Sequence, residues 1–506
     1  MANFWEDSVI AEHTQEVAMS SNSEQMIHQL RNDFEHLIAL MTGPEAAKAT
    51  MDQMERSLFR QVLRLGYPLL LLFVTKRVAG ESHARIVNRA GEELRYHSQQ
   101  EVHYFSICGD MEIKRAYFYA SGKGGECPLD AGLSLPERRY SEMLMENAEL
   151  LGVNGAYQKG METLARLLML ELPKLALEMG IAEHSQMVKK YYNQKARFPK
   201  SEEGSILVVQ ADGKGVPLVR QAVEKLKVRR KKGDKKTAKK EAIATAIYSI
   251  EAYPRTPEEV TQSLFKKGEP PAGRPTPSHK QIFATLKGKE KAICELAKRT
   301  ARRLGKHILE RIALSDGSAP LRNQILARLP GFVLSLDIIH AVEYLWKAAT
   351  ALYGESDPQR AVWVEAQTLD LLSSRTHLVI QRREEKAASL VPTSQVAKTL
   401  YQVAHYFRRN QPYMDYAEYL RHGWPIGTGV IEGTCRHLVK DRCELSGMLW
   451  TVDGAEALLA LRAVNENEDW DDFHSFRRTQ RHKKLYGTPM PTNFIDLAEH
   501  LEIIQF

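Results

Sequence analysis

The spacing of apolar positions changes character several times along the chain. Over residues 1–95 apolar residues recur at helical spacing, as in IHQLRNDFEHLIALM and MERSLFRQVLRLGYPLLLLFV. That pattern predicts a helical region, either a hairpin packing on its own core or a dimerisation surface. Residues 96–140 alternate apolar and polar positions and are broken by Gly-Asp and Gly-Lys-Gly-Gly turns, which predicts a small β-rich segment. Helical spacing returns over residues 141–198, in SEMLMENAELLGV, YQKGMETLARLLMLELPKLALEMGI and AEHSQMVKKYYNQKA. Short amphipathic helices of this kind suit a helix-turn-helix-like DNA-binding bundle, with Lys189, Lys190, Lys195 and Arg197 as phosphate partners, and equally suit any small helical bundle. Over residues 199–463 strands and helices alternate around an all-helical stretch at about 345–420, and residues 464–506 read as a C-terminal tail. The expected fold class is multidomain α+β, with an α/β unit in the second half.

Composition narrows the class. Hydrophobic residues make up 43% and charged residues 26% of the 506-residue chain, as in globular proteins with a real core, and the length suits two to four domains. The five cysteines, at 108, 127, 294, 435 and 443, form no CxxC pair, so neither a disulfide framework nor a cysteine-rich zinc module is expected. The opening MANFWEDSVIAEHTQE is acidic and lacks the apolar core of a secretory leader. The longest apolar run, Leu65 to Val74, is about ten residues with Gly66 and Pro68 inside it, against roughly 20 for a membrane span. A soluble, cytoplasmic chain is the expectation.

The net charge of +7 matters through its distribution. Ten of the sixteen residues in KLKVRRKKGDKKTAKK, from Lys225 to Lys240, are basic. Lys225, Lys227, Arg229, Arg230, Lys231, Lys232, Lys235 and Lys236 would repel one another in a solvated loop, and suit a clamp on nucleic-acid phosphates or a localisation signal. The run lies between the apolar segments SILVVQ and EAIATAIYSIEAY, as a hairpin tip would.

Three carboxylates stand where apolar runs end, and a fourth lies in a Gly-rich segment. Asp212 follows Ile206–Val209 and is flanked by Gly213 and Gly215, so it suits a metal ligand with room for substrate, or an ordinary Ala-Asp-Gly turn. Asp316 follows a strand expected over Arg311–Leu314 and precedes Gly317. Asp337 follows a strand expected over Phe332–Leu336, with His340 one turn on, and also suits an N-cap. Glu432 lies in GWPIGTGVIEGTCRHLVKDR, where Glu432, Arg436 and Lys440 recur every four residues, as on one face of a helix. That stripe suits surface salt bridges, or a carboxylate with Arg436, Lys440 and Arg442 as phosphate contacts. Carboxylates on separate elements can converge on hard divalent cations such as Mg²⁺, and a pair of ions about 4 Å apart promotes in-line displacement at phosphorus.

The segment from about Ser205 to Ala463 resembles the catalytic domain of bacterial insertion-sequence transposases of the Kra type, related to the Mutator-like DDE group. QADGKGVPL resembles that family's first aspartate motif, ALSDGSAP its second, and GTGVIEGTCRHLVKDR with Gly447, Met448 and Trp450 its glutamate helix. Asp337-Ile-Ile-His340 resembles the signature that supports the active site in Mutator-like enzymes. The resemblance implies an RNase H-like catalytic domain interrupted by a helical insertion, with Asp212, Asp316 and Glu432 as catalytic and metal-binding residues, and Asp337 and His340 in support. It implies two Mg²⁺ or Mn²⁺ ions, and as partners the terminal inverted repeats of a mobile element, target DNA and a second copy of the chain. The activity implied is cleavage and strand transfer in a bacterial, nucleoid-associated setting. A nuclease or resolvase of the same fold without strand transfer, and a non-catalytic DNA-binding relative, share these residues. By spacing, Asp337 competes with Asp316 for the second catalytic role.

Overall fold

The computed structural model describes residues 3–81, 85–219, 239–266, 273–445 and 447–490. The chain is a mixed α/β protein with two sheets, divided into two compact units. One comprises the residues up to Gly180 with those from Asp471 onward, and the other Ile181–Trp470.

The first unit opens with α1 (Asn3–Thr42) and α2 (Met51–Ala79). Thr50 and Gln53 start α2 with a reciprocal capping box, which satisfies two backbone donors that the first turn leaves free. The helix continues through Pro68 instead of breaking there, so its apolar stretch is longer than the run read from sequence. Met51–Val78 is long and apolar enough to cross a membrane by length and composition, yet only 6% of that window is buried, and Leu58, Val62, Leu69 and Phe73 lie exposed. Strands β1 (Ile86–Val87), β2 (Glu93–Ser106), β3 (Gly109–Ala120) and β4 (Gly124–Glu126) form an antiparallel sheet in chain order, beginning ahead of residue 96. Met111 and Ile113 of β3 pack with Val74 of α2 and with Leu129 and Leu135. Helices α3 (Pro128–Leu133), α4 (Glu142–Asn154), α5 (Tyr157–Leu168) and α6 (Lys174–Ser185) follow. Residues 470–486, within the stretch read as a tail, form a helix whose Arg477, Arg478 and Arg481 ion-pair with Glu142 and Glu146 of α4.

The second unit is built on a five-stranded sheet. After α7 (Val188–Gln194) come β5 (Ile206–Pro217), β6 (Lys239–Ile250), α8 (Pro257–Leu264), β7 (Ser278–Thr285), α9 (Lys289–Arg303), β8 (Glu310–Ser315), α10 (Ala319–Arg328) and β9 (Val333–Leu336). The order across the sheet is β7-β6-β5-β8-β9. The first three strands are antiparallel neighbours, whereas β8 and β9 run parallel to β5. Parallel strands need crossover connections, which α9 and α10 supply. The sheet's centre is buried on both faces, hence the uninterrupted Ile206–Val209 run in place of alternation.

One face is covered by α11 (Ile338–Tyr353) and the helices that follow it, α12 (Gln359–Leu372), α13 (Thr376–Ala388), α14 (Gln395–Asn410) and α15 (Tyr416–Arg421). Ile206, Val208, Ile312 and Leu314 of the sheet share one core with Ala341, Leu345, Val379, Leu400 and Phe407 of those helices. The chain then returns to the sheet through α16 (Gly429–Thr434), a π-helical turn over Cys435–Lys440, and α17 (Val452–Glu466).

Candidate active site

Strand register brings three of the carboxylates level. Gln210 pairs with Leu314, and Leu314 pairs with Ser335. Two residues further along each parallel strand lie Asp212, Asp316 and Asp337. Neighbouring strands are about 4.8 Å apart, so the three aspartates stand side by side where β8 and β9 end. Asp212 itself is not at a strand end. Strand β5 runs on to Pro217, paired antiparallel with β6, and Asp212 sits where β5 outruns its parallel partner. A Cβ added at Gly213 would meet the Glu241 side chain at 2.4 Å, and one at Gly215 would meet Lys239 at 3.0 Å. Both glycines therefore make room for side chains crossing from β6.

The three aspartates differ in what they already hold. Asp337 is fully buried: its Oδ2 accepts from His340 N–H (3.0 Å) and pairs with His340 Nδ1 (2.6 Å), and its Oδ1 accepts from Thr428 N–H (2.9 Å). It is both the N-cap of α11 and the anchor of the Gly-rich segment before Glu432. Asp316 is half-buried, and its Oδ1 accepts from Ser318 N–H (2.8 Å). Among the described residues no protein donor reaches its Oδ2. Asp212 accepts from Gly213 N–H (2.6 Å) on Oδ1 and faces the Cys435 thiol at 3.5 Å on Oδ2. Burial pushes the Asp212 carboxyl up, and the negative charge of Asp316 adds to that.

The helical insertion fixes Asp316 through its backbone. The Tyr406 hydroxyl donates to the Asp316 carbonyl (3.2 Å), and Arg409 donates to that of Gly317 (3.2 Å). Tyr406 is held by stacking on Tyr344 at 3.6 Å. Gly317 has φ +83°, and a Cβ there would meet Leu336 at 2.9 Å, so only glycine suits this turn.

Glu432 comes to Asp337 and His340 from α16. It is exposed, accepts from the Thr428 hydroxyl (3.1 Å), and its carboxylate lies within 4.8 Å of ligand atoms on Asp337 and His340. The helix is tied to β5 by Gln210, a fully buried side chain that sequence reading passed over. Its Oε1 accepts from Ile431 N–H (2.8 Å), and its Nε2 donates to the Tyr248 hydroxyl (2.9 Å) and the Gly427 carbonyl (3.5 Å). Gln210 thus connects the strand of Asp212 to the residue before Glu432. A polar side chain ending the run Ile-Leu-Val-Val, two residues from Asp212 and on its face, was the available signal. Gln210→Ala is expected to cost about 1–3 kcal/mol, since it leaves the buried Ile431 N–H unsatisfied. A thermal melt measures this loss, and an unchanged melting temperature would remove Gln210 from the account.

The expected cations divide into three groups. Arg436 and Lys440 are exposed beyond Glu432. Arg442 is a correction: it is fully buried, its guanidinium 4.9 Å from the Trp450 ring and bonded to the Met448 sulfur (3.3 Å), so it is not presented to phosphates. Arg442 lies just past the π-turn, which changes the helical phase after Glu432. Lys225, Lys227, Arg229, Arg230, Lys231, Lys232, Lys235 and Lys236 lie outside the described residues. The strands that flank them pair as far as Pro217 opposite Lys239.

His340 is raised to about 9, chiefly by its hydrogen bond to Asp337, with Asp316 among the smaller contributors. Its folded value exceeds the ordinary 6.5, so its contribution to stability is complete below about pH 6.5 and is lost as pH rises through about 9. In metal-free buffer, the melting temperature of the wild type relative to His340→Gln is expected to fall across that window. A difference that is constant with pH would contradict it.

The donor set is carboxylate oxygen with one imidazole, and Asp212 and Asp316 place like charges together at a half-buried site. A hard divalent cation suits carboxylate donors. The ligand atoms that lie within 4.8 Å of one another are those of Asp337, His340 and Glu432, a group that does not include Asp212 or Asp316. The Asp337–His340 pair has the form of a carboxylate that orients an imidazole ring. No family model matches the chain, and no curated protein matches it.

Proposed function

We propose that the chain is a DNA transposase of the DDE type, in which residues 199–463 form an RNase H-like catalytic domain. The observation that carries the reading is a cluster of acidic residues at one end of the sheet: Asp212 and Asp316 come from neighbouring parallel strands, and Glu432, on a returning helix, groups with Asp337 and His340 beside them. Three antiparallel strands continued by two parallel ones, with a helical insertion before the glutamate segment, fit the RNase H-like expectation. Exposed Arg436 and Lys440 next to Glu432, and the basic run between β5 and β6, suit a DNA backbone.

In this reading Asp212, Asp316 and Glu432 would hold Mg²⁺ or Mn²⁺, which when bound supplies Lewis-acid activation of the attacking oxygen and stabilisation of the leaving one. The protein's own contribution is positional. Gln210 and Asp337 fix the glutamate segment from two sides, Tyr406 and Arg409 fix the Asp316 turn, and His340 holds a positive charge beside the carboxylates. Phosphodiester cleavage at an element's end would free a 3′-hydroxyl, which then attacks target DNA.

Strand transfer separates this reading from a nuclease of the same fold. Purified protein, a labelled duplex bearing inverted repeats from DNA flanking its gene, and a supercoiled target would be incubated with Mg²⁺ or Mn²⁺. Joined products point to a transposase, and cleavage without joining to a nuclease. Salt-sensitive binding with neither product points to a non-catalytic relative.

A further inference from the structure

We propose that a second site, in the cleft between α7, the segment leading into β5 and α9, binds a phosphoryl group. The cleft shares no lining residue with the carboxylate site and is framed by Arg197, Lys200, Arg299, Arg302, Arg303 and His307, with Glu203 as its one lining carboxylate. Its volume is about 90 Å³. That is room for a phosphate group.

The donors divide into those already used and those left over. Arg303 is spent on Glu203 (2.9 Å) and on the His279 carbonyl (2.8 Å). Arg302 donates to the carbonyls of Tyr192, Asn193 and Lys195, which orient its guanidinium without neutralising it. Arg299 is nine-tenths buried, held between the rings of Tyr192 (4.2 Å) and Phe283 (4.5 Å), with Nε on Glu295 (3.2 Å). Its Nη1 is buried with no hydrogen-bond partner, and so is Nδ1 of His307. At the rim Arg197 and Lys200 are exposed, and neither has a carboxylate partner among the described residues. Arg299 Nη1 and His307 Nδ1 have almost no exposed surface, so the donors that an acceptor-only anion with several oxygens can reach are the oriented guanidinium of half-buried Arg302 and the rim charges of Arg197 and Lys200. Planar guanidinium groups fixed by packing match phosphate oxygens in particular.

The phosphoryl group could belong to a nucleic-acid backbone or to free phosphate, and binding in EDTA distinguishes them without calling on the metal site or on any cleavage activity. The full-length wild type and an Arg197→Gln/Lys200→Gln variant, altered only at exposed positions, would be titrated with inorganic phosphate by ³¹P NMR and thermal shift. Both would then be titrated with a duplex over a salt series. Phosphate binding is expected to weaken at least tenfold in the variant, on the scale of roughly one charge-assisted contact. A DNA salt slope shallower by about one or two in the variant assigns the site to a backbone phosphodiester, and an unchanged slope to free phosphate. No phosphate uptake by the wild type, or equal uptake by the variant, overturns the proposal.

Discussion

Asp316→Asn is expected to abolish metal-dependent nicking of duplex DNA while leaving the fold intact. Asp316 is half-buried, and its side chain accepts from the neighbouring Ser318 N–H, a bond that the asparagine carbonyl can keep. What it loses is a negative oxygen with no protein donor, beside an Asp212 whose carboxyl is already pushed up by burial and by Asp316. Removing that like charge relieves repulsion, so the metal-free melting temperature should hold or rise slightly. Electrostatic stabilisation of several kcal/mol by a held cation corresponds to at least about a hundredfold in rate, at about 1.4 kcal/mol per tenfold. A nicking assay with Mg²⁺ and with EDTA reads the activity, and a thermal melt reads the fold. Nicking by Asp316→Asn at the wild-type rate would transfer the second catalytic role to Asp337.

Asp337→Ala is expected to fail in the opposite way, by unfolding first. Its buried carboxylate accepts from His340 N–H and Thr428 N–H and pairs with the His340 ring. Alanine removes an N-cap, worth about 1 kcal/mol. It also strands buried donors and leaves a half-buried imidazole without its counter-charge, for a total of about 3–5 kcal/mol. In a denaturant titration the midpoint should fall with little change in slope. Asp337→Asn, which keeps acceptor capacity on one atom, should lose less. A midpoint unchanged in Asp337→Ala would remove this residue as the link between α11 and the Gly-rich segment.

The difference between these two aspartates was not legible in the sequence. Both follow apolar strands and both precede helices; the N-cap role of Asp337 was legible, but its long-range donor was not. Thr428 lies far along the chain from Asp337, and only the fold brings its N–H to Oδ1. Strands β5, β6, β8 and β9 were legible, because their buried positions are continuous runs rich in Ile, Leu, Val and Ala, whereas β7 (Ser278–Thr285) was not. Their order was not, since pairing of Gln210 with Leu314 is a long-range choice that local pattern does not encode. Gln210 was visible but unread: a buried amide at the end of an apolar run signals a partner without naming it.

Helical phase set the other limits. Arg442 was read as a phosphate contact from its charge and its nearness to Glu432, Arg436 and Lys440, yet it follows the π-turn over Cys435–Lys440 and packs on Trp450. Such turns are rare and carry no sequence signal at this level. Proline was overread at Pro68, which α2 accommodates. The helix over residues 470–486 was underread for a different reason. It is rich in charge, and its arginines are fixed by Glu142 and Glu146, so the apolar stripe that reveals most helices is weak.

The central claim, that Asp212, Asp316 and Glu432 together hold a divalent cation, is tested most directly by titrating Mn²⁺ into purified protein by calorimetry. Wild type would be compared with Asp212→Asn, Asp316→Asn and Glu432→Gln, each checked for an unchanged melt. Each substitution is expected to weaken Mn²⁺ binding at least about tenfold, the loss of one carboxylate ligand costing no less than the 10–100-fold seen for outer-shell partners. Wild-type affinity retained in both Asp212→Asn and Asp316→Asn would contradict the account.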